Sequence, residues 1–315
     1  MNAWPQNPGI LMSALIAPLR PEPLTRFLRE LGPRYAGDIR AGSDATKNAY
    51  LPYLAAAPKG DLSVTRNLAY GSHARQVLDV YVPRSAREAP VVVFVHGGAF
   101  VRGDREVNAE IYANVLTWFA RHGCVGVNVE YRLAPEAPWP EGGRDVADAC
   151  AWVRESIGGY GGDPRRVCLV GHSAGGTHAA TYAFDPALGL YGRDISALVL
   201  MSARVHADAR PENPNAAAVR AYFGADEALY AQRSPLTHAA ASKLPVMIAC
   251  AQYENPLLDL YSLDLARCLA QARGSAPRFV MAADHNHMSL MAHFNSGETW
   301  LGEQILDFFA ATFDH

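Results

Sequence analysis

From about residue 61 the chain alternates between two hydrophobic rhythms. Short continuous runs rich in β-branched residues alternate with longer segments whose apolar positions recur every three or four residues. Val91–Val95, Cys124–Val129, Val167–Val170, Ile195–Met201, Val246–Ala251 and Phe279–Ala282 are the short runs. Runs of that kind predict strands buried on both faces. Ile111, Val115, Trp118 and Phe119 mark one face of a helix that Gly123 is placed to end. Val146, Ala149, Val153 and Ile157 mark a second helix. Further helices are predicted from Ala174, over Leu257–Ala272 and over Trp300–Phe313. Two strands, Leu62–Ala69 and Gln76–Val82, precede this alternation and are split by a Gly71-Ser72 turn.

A βαβα order implies an α/β fold: a mostly parallel sheet with helices on both faces. Reactive groups of such sheets gather at the carboxyl ends of the strands. Residues 1–60 carry no strand-like run and offer helical patches at Leu24–Leu31 and Thr46–Ala55. They are expected to form an N-terminal helical cap segment over a catalytic domain of residues 61–315. A polar, Pro- and Ala-rich stretch near 204–240 is expected to be a short cap insertion. The apolar face of Leu24, Phe27, Leu28 and Leu31 suggests that residues 1–60 supply most of the lid, above an apolar pocket for a compact group.

Composition narrows the class. Half of the residues are hydrophobic and 19% are charged, below the roughly 25% of ordinary domains, so the core is large. A net charge of −3 argues against a nucleic-acid partner. No run reaches the ~20 apolar residues of a membrane span. The apolar run Ile10–Ala17 has no Lys or Arg before it, so a secretory signal is not expected and a cytoplasmic protein is. Five cysteines, none in a C-x-x-C pair, read as small buried hydrophobes.

The candidate chemistry starts at Gly171-His172-Ser173-Ala174-Gly175. A predicted buried strand enters this G-x-S-x-G sequence and a predicted helix leaves it. That context suits a serine nucleophile on a strained strand-to-helix turn, with its hydroxyl lifted clear of the sheet. His172 is expected to serve packing or hydrogen bonding. His96-Gly97-Gly98-Ala99 directly follows the strand Val91–Val95. Small residues there let backbone N–H groups approach the oxyanion of an acyl-transfer intermediate.

Taken with Tyr131-Arg132-Leu133-Ala134-Pro135-Glu136 and Gly162-Asp163-Pro164, these motifs resemble the hormone-sensitive-lipase-like esterases of the α/β-hydrolase fold. The likeness runs over about residues 61–315. It implies oxyanion donors at Gly98, Ala99 and Ala174 and a cap; a serine acyl-transfer mechanism needs no cofactor. Ala99 replaces a usual glycine and His172 a usual aspartate; the second variant is also similar to bacterial carboxylesterases and kynurenine formamidases.

The base is expected after the last strand, where His285 and His287 compete. The resemblance favours His287, which stands just before Met288-Ser289-Leu290. A metal site at the two histidines is not favoured, because no H-E-x-x-H or cysteine cluster accompanies them. The acid is expected after Val246–Cys250. Asn255-Pro256 reads as a helix N-cap followed by Pro at the first helical position, which leaves Glu254 to turn toward the histidine. Asp259 is the runner-up, and the resemblance implies Asp more often than Glu. Ser173, Glu254 and His287 follow the chain order nucleophile, acid, base that this fold uses. Arg132 needs a carboxylate beside its strand, with Glu136 or Asp145 as candidates, and Gly161–Pro164 reads as a turn. The expected activity is hydrolysis of small or medium acyl esters, with an arylformamidase or a non-catalytic ligand receptor as rivals.

Overall fold

The computed structural model describes residues 20–313; the apolar run at 10–17 lies outside them. Eight strands form one sheet in the order β1-β2-β4-β3-β5-β6-β7-β8. They are β1 Leu62–Ala69, β2 Val77–Pro83, β3 Ala89–Val95, β4 Val125–Val129, β5 Gly162–His172, β6 Ala197–Met201, β7 Val246–Tyr253 and β8 Arg278–Asn286. β2 pairs antiparallel with β1 and β4, and every other pairing is parallel. The central strand β3 reads APVVVFV because it is covered on both faces, and Val91 to Val95 are fully buried.

The main helices are α1 Glu22–Leu31, α2 Ile39–Ala56, α3 Ala113–Arg121, α4 Glu141–Ser156, α5 Ala174–Phe184, α6 Ala216–Phe223, α7 Leu258–Arg273 and α8 Trp300–Ala310. One core cluster packs α4, α5 and α7 against one face of the sheet, through residues such as Val146, Val153, Ala180 and Leu265. The other packs α3 and α8 against the opposite face, and Leu24, Leu28, Tyr50 and Leu54 of α1 and α2 join it. Asp38 caps α2 by accepting the Ala41 N–H at 3.0 Å.

Several sequence expectations need correction. Gly161 makes a turn with φ +79°, but β5 begins at Gly162, which pairs with Ala89. The polar start of β5 hid this, because Asp163 is occupied with Arg165 and Arg166. Asn255 does not cap α7. That helix starts two residues later, after Leu257 at φ +77°, because the chain reverses sharply once Glu254 has turned inward. The 204–240 insertion also has more apolar substance than its pattern suggested. Val219, Tyr222, Phe223 and Tyr230 are buried in a third cluster with Phe100 and Ala174. Phe100 stacks on Tyr222 at 4.7 Å between ring centroids, which fastens the insertion to the loop after β3.

Candidate active site

Because β3, β5, β6, β7 and β8 are parallel, their carboxyl ends share one edge. His96, Ser173, Ser202, Glu254 and His287 are each the first residue beyond one of those ends. Topology alone therefore assembles residues that are up to 191 positions apart in sequence.

Ser173 sits between β5 and α5 with φ +54° and ψ −120°, a strained conformation for a residue with a side chain. Its N–H donates to Met201 O at 2.9 Å and its carbonyl accepts from Thr177 N, so the turn is held from both sides. Glycine is required at Gly175, where a Cβ would lie 2.3 Å from the carbonyl oxygens of Val95 and His96. That close approach brings the turn up to the end of β3.

The loop after β3 is also strained. Gly98, Ala99 and Phe100 have φ of +153°, +50° and +71°. A Cβ on Gly98 would lie 1.8 Å from Arg102 O, whereas Ala99 tolerates its methyl group. Among the described residues the N–H groups of Gly98 and Ala99 donate to no protein acceptor, and Ala174 opens α5, where first-turn N–H groups lack intrahelical partners. A network unforeseen in the sequence supports this loop from behind. His96 Nδ1 lies 2.8 Å from Gly97 O, and His96 Nε2 lies 3.0 Å from Glu130 Oε1. Glu130 also accepts from the Arg105 N–H at 2.9 Å and pairs with Arg75. Burial pushes the Glu130 carboxyl up, but His96, Arg105 and Arg75 outweigh it and hold the pKa below the ordinary value. A lone Glu at a strand end carries no sequence signal for this role.

His287 is held at three points. Its Nδ1–H donates to Glu254 Oε2 at 2.8 Å, its N–H donates to Tyr253 O at 3.1 Å, and its carbonyl accepts from His172 Nε2 at 3.2 Å. A carboxylate at Nδ1 fixes the tautomer and leaves Nε2 unprotonated, the form a general base needs. His172 thus hydrogen-bonds as expected, and its ring packs 4.6 Å from that of His287. Burial, then the cost of placing a positive charge beside His287, lowers the His172 pKa well below 6.5 and keeps it neutral.

Glu254 is buried. Besides His287 it accepts from the Ala251 N–H at 2.8 Å, the Asn255 N–H at 3.2 Å and the Ser202 hydroxyl. Ser202, at φ +48°, is a second contact the pattern did not announce. Asp259 stands elsewhere: it is half-exposed and accepts only from the Leu260 N–H. His285 turns away from the cavity to Ser289 Oγ at 2.9 Å and Glu298 at 3.3 Å. The two histidines therefore meet different carboxylates and do not converge as ligands would. Arg132 pairs with Asp145 at 2.6 Å and with Glu141 at 2.9 Å. Glu136, the other candidate, is exposed near His73, because the chain turns outward after Ala134.

A cavity of about 540 Å³ opens over this edge, lined by Gly97, Gly98, Ala99, His172, Ser173 and His287. Its far wall is one face of α2 (Ile39, Arg40, Ser43, Asp44 and Lys47), joined by Asn215. That lining is more polar than the sequence suggested: the apolar stripe of α1 packs inward through Leu24 and Leu28 and leaves the cavity to α2.

An eight-stranded, mostly parallel sheet with a strained serine turn beyond its fifth strand defines an α/β-hydrolase. The chain belongs to the prolyl oligopeptidase family, which matches residues 138–315, more than half of its length. The BD-FAE family matches residues 78–189. Over 113 residues the chain is 40% identical to esterase LipC of Mycobacterium tuberculosis, covering 35% of this chain and 27% of that protein. Over 125 residues it is 34% identical to a probable isoprenylcysteine alpha-carbonyl methylesterase of Oryza sativa subsp. japonica, covering 39% and 29%. The chain thus spans less than a third of the length of these curated relatives. Among solved structures, esterase B from Lactobacillus rhamnosis with a bound tributyrin phosphonate superposes with a TM-score of 0.69 at 20% identity, over 93% of this chain and 96% of that one. A bacterial heroin esterase gives 0.68 at 21%, over 89% and 93%. At such identities these structures speak for the fold. No helix among the described residues is long and apolar enough to cross a membrane.

Proposed function

We propose that this protein is a serine carboxylic-ester hydrolase that works through an acyl-enzyme, with Ser173 as nucleophile, His287 as general base and Glu254 as the acid. The observation that carries this reading is the 2.8 Å contact of His287 Nδ1 with a buried Glu254, on a histidine that lines one cavity with Ser173. His287 Nε2 takes the proton of Ser173 as its oxygen attacks the ester carbonyl. The N–H groups of Gly98, Ala99 and Ala174 receive the developing oxyanion. Glu254 stabilises the imidazolium, which then protonates the leaving alcohol. Water enters, His287 acts as base again, and the acid product leaves. Curated relatives named as esterases support the same reading.

We assign the lid to the 20–60 segment and the 204–240 insertion, since α2 and Asn215 supply the wall opposite Ser173. A cavity of this size suits small or medium acyl esters. Ser173→Ala is expected to abolish hydrolysis of a 4-nitrophenyl butyrate probe and labelling by a fluorophosphonate, with the circular dichroism spectrum unchanged. Near-wild-type turnover by that variant would overturn the assignment.

A further inference from the structure

We propose that this cavity selects esters carrying a negative charge, which Arg40 and Arg102 read; the inference rests on the ester-hydrolase reading above and adds a substrate class to it. Among the described residues, every arginine but three either pairs with a carboxylate or donates a side-chain hydrogen bond. Arg75 and Arg105 meet Glu130, Arg66 meets Asp79, and Arg29 meets Asp284 at 3.0 Å. The three exceptions are Arg40, Arg102 and Arg204. Arg204 lies over the Tyr261 ring, 5.5 Å from its centroid. The other two line the cavity that holds Ser173 and His287.

Their backbone positions relative to the chemistry are fixed. The Arg102 N–H donates to Gly98 O at 3.1 Å, so this arginine closes the same turn that presents the Gly98 and Ala99 amides. Arg40 belongs to the first turn of α2, across the cavity. That helix is anchored to the loop of the base by Thr46, whose Oγ1 accepts from Asn286 Nδ2 at 2.9 Å. The cavity wall carries one carboxylate, Asp44, and Lys47 neutralises it at 2.7 Å. Asp44 also lies in the field of Arg40, so among the described residues the wall sets three cations, Arg40, Lys47 and Arg102, against one carboxylate, on a chain whose net charge is −3.

A single exposed arginine is ordinarily just hydrated. Two that line one cleft beside the Lys47–Asp44 pair leave it with a positive excess, which raises its potential and concentrates anions there. A guanidinium also offers a planar pair of donors that fits a carboxylate. An ester bearing a carboxylate on its acyl part would place that group against the arginines while its carbonyl meets Ser173.

The test compares mono(4-nitrophenyl) adipate with the neutral 4-nitrophenyl hexanoate. At low salt, the wild-type protein should favour the adipate ester by about tenfold in kcat/KM, mainly through KM, since charge-assisted hydrogen bonds are worth at least that much. The preference should shrink as salt is raised to about 0.5 M, because screening weakens exposed charges. R40Q/R102Q should reduce the adipate-to-hexanoate ratio about tenfold, and R102E should reverse it. Equal treatment of the two esters, or a preference untouched by salt and by R40Q/R102Q, overturns the proposal. Calorimetry with free adipate on Ser173→Ala protein separates the two readings. Adipate binding that R40Q/R102Q abolishes would uphold the anion site even if neither ester were cleaved, in which case the hydrolase reading fails. Ser173-dependent cleavage of the hexanoate ester with no adipate binding would sink the anion site and leave the hydrolase reading intact.

Discussion

Two histidine–glutamate pairs grow from the same strand end and do different work. His287 and Glu254 meet at 2.8 Å beside the cavity, while His285 and Glu298 meet at 3.3 Å beneath the N-terminal helices. Both glutamates are buried. What differs is the rest of each shell. Glu254 is surrounded by donors that position it, namely two backbone N–H groups and Ser202, and its histidine opens onto Ser173. Glu298 instead collects Arg20 at 3.0 Å, just before α1, and Tyr50 at 2.9 Å, within α2. Burial raises the Glu298 carboxyl, but His285, His293 and Arg20 outweigh that and bring it to about 2. A buried His–Glu contact is therefore not in itself a catalytic signature. Access to the cavity is what supports the proposed role of the first pair, and ties across the sequence set the second apart as a clasp.

The comparison can be broken at several points. The largest effect is expected from His287→Ala, which should lower kcat by about 10⁶, as loss of one member of a nucleophile–base unit does, with little change in Tm. His285→Ala should leave kcat within a few-fold and lower Tm instead. Steady-state kinetics with thermal melts on both variants checks this, and the reverse ranking would exchange the roles of the pairs.

Next come the carboxylates. Glu254→Gln should cost about 10⁴ in kcat, because an amide can neither hold the tautomer nor stabilise the imidazolium. Glu298→Gln should cost about 3–5 kcal/mol of stability, the usual price of breaking a buried ion pair from one side. Urea titrations of both would show it, and a larger kcat loss in Asp259→Asn than in Glu254→Gln would move the acid.

Removing residues 1–60 should act on the clasp and on the cavity wall that α2 supplies. Glu298 would lose Arg20 and Tyr50, and Thr46 and Arg29 would leave Asn286 and Asp284, which flank His285. A lower Tm and a raised KM are expected, and a truncated protein with wild-type kinetics would refute the lid assignment.

The last comparison is of stability against pH. Burial lowers His178 and His293 from 6.5 to about 3 and also lowers His285 and His172. The unfolded chain binds these protons first, so the stability these groups contribute is present above pH 6.5 and is lost as pH falls toward 3. By pH 5 each histidine held near 3 costs about 2 kcal/mol. Glu298 adds a second stabilising contribution, full above pH 4.5 and lost as pH falls through about 2. Melts between pH 7.5 and 4 should show Tm falling from the first step, and a flat profile down to pH 5 would contradict it.

Hydrophobic rhythm by itself determined the strand–helix alternation, because a strand buried on both faces must be a continuous apolar run, as Val91–Val95 is. The serine turn was legible for a local reason too: Gly175 must be glycine where the backbones of β3 and α5 touch, and that constraint lies within a five-residue motif. Tertiary structure alone decided which partners meet. Glu130 behind the glycine loop, Ser202 on Glu254 and Glu298 under α2 are each a common residue at a strand end or in a loop. Their roles arise from chain crossings of tens to hundreds of residues, which leave no periodicity behind. The same holds for the two histidines two positions apart. Nothing in Asp284-His285-Asn286-His287 says which imidazole faces a cavity, because that is set by the packing of α1 and α2 over one side of the strand end and by the open edge of the sheet on the other.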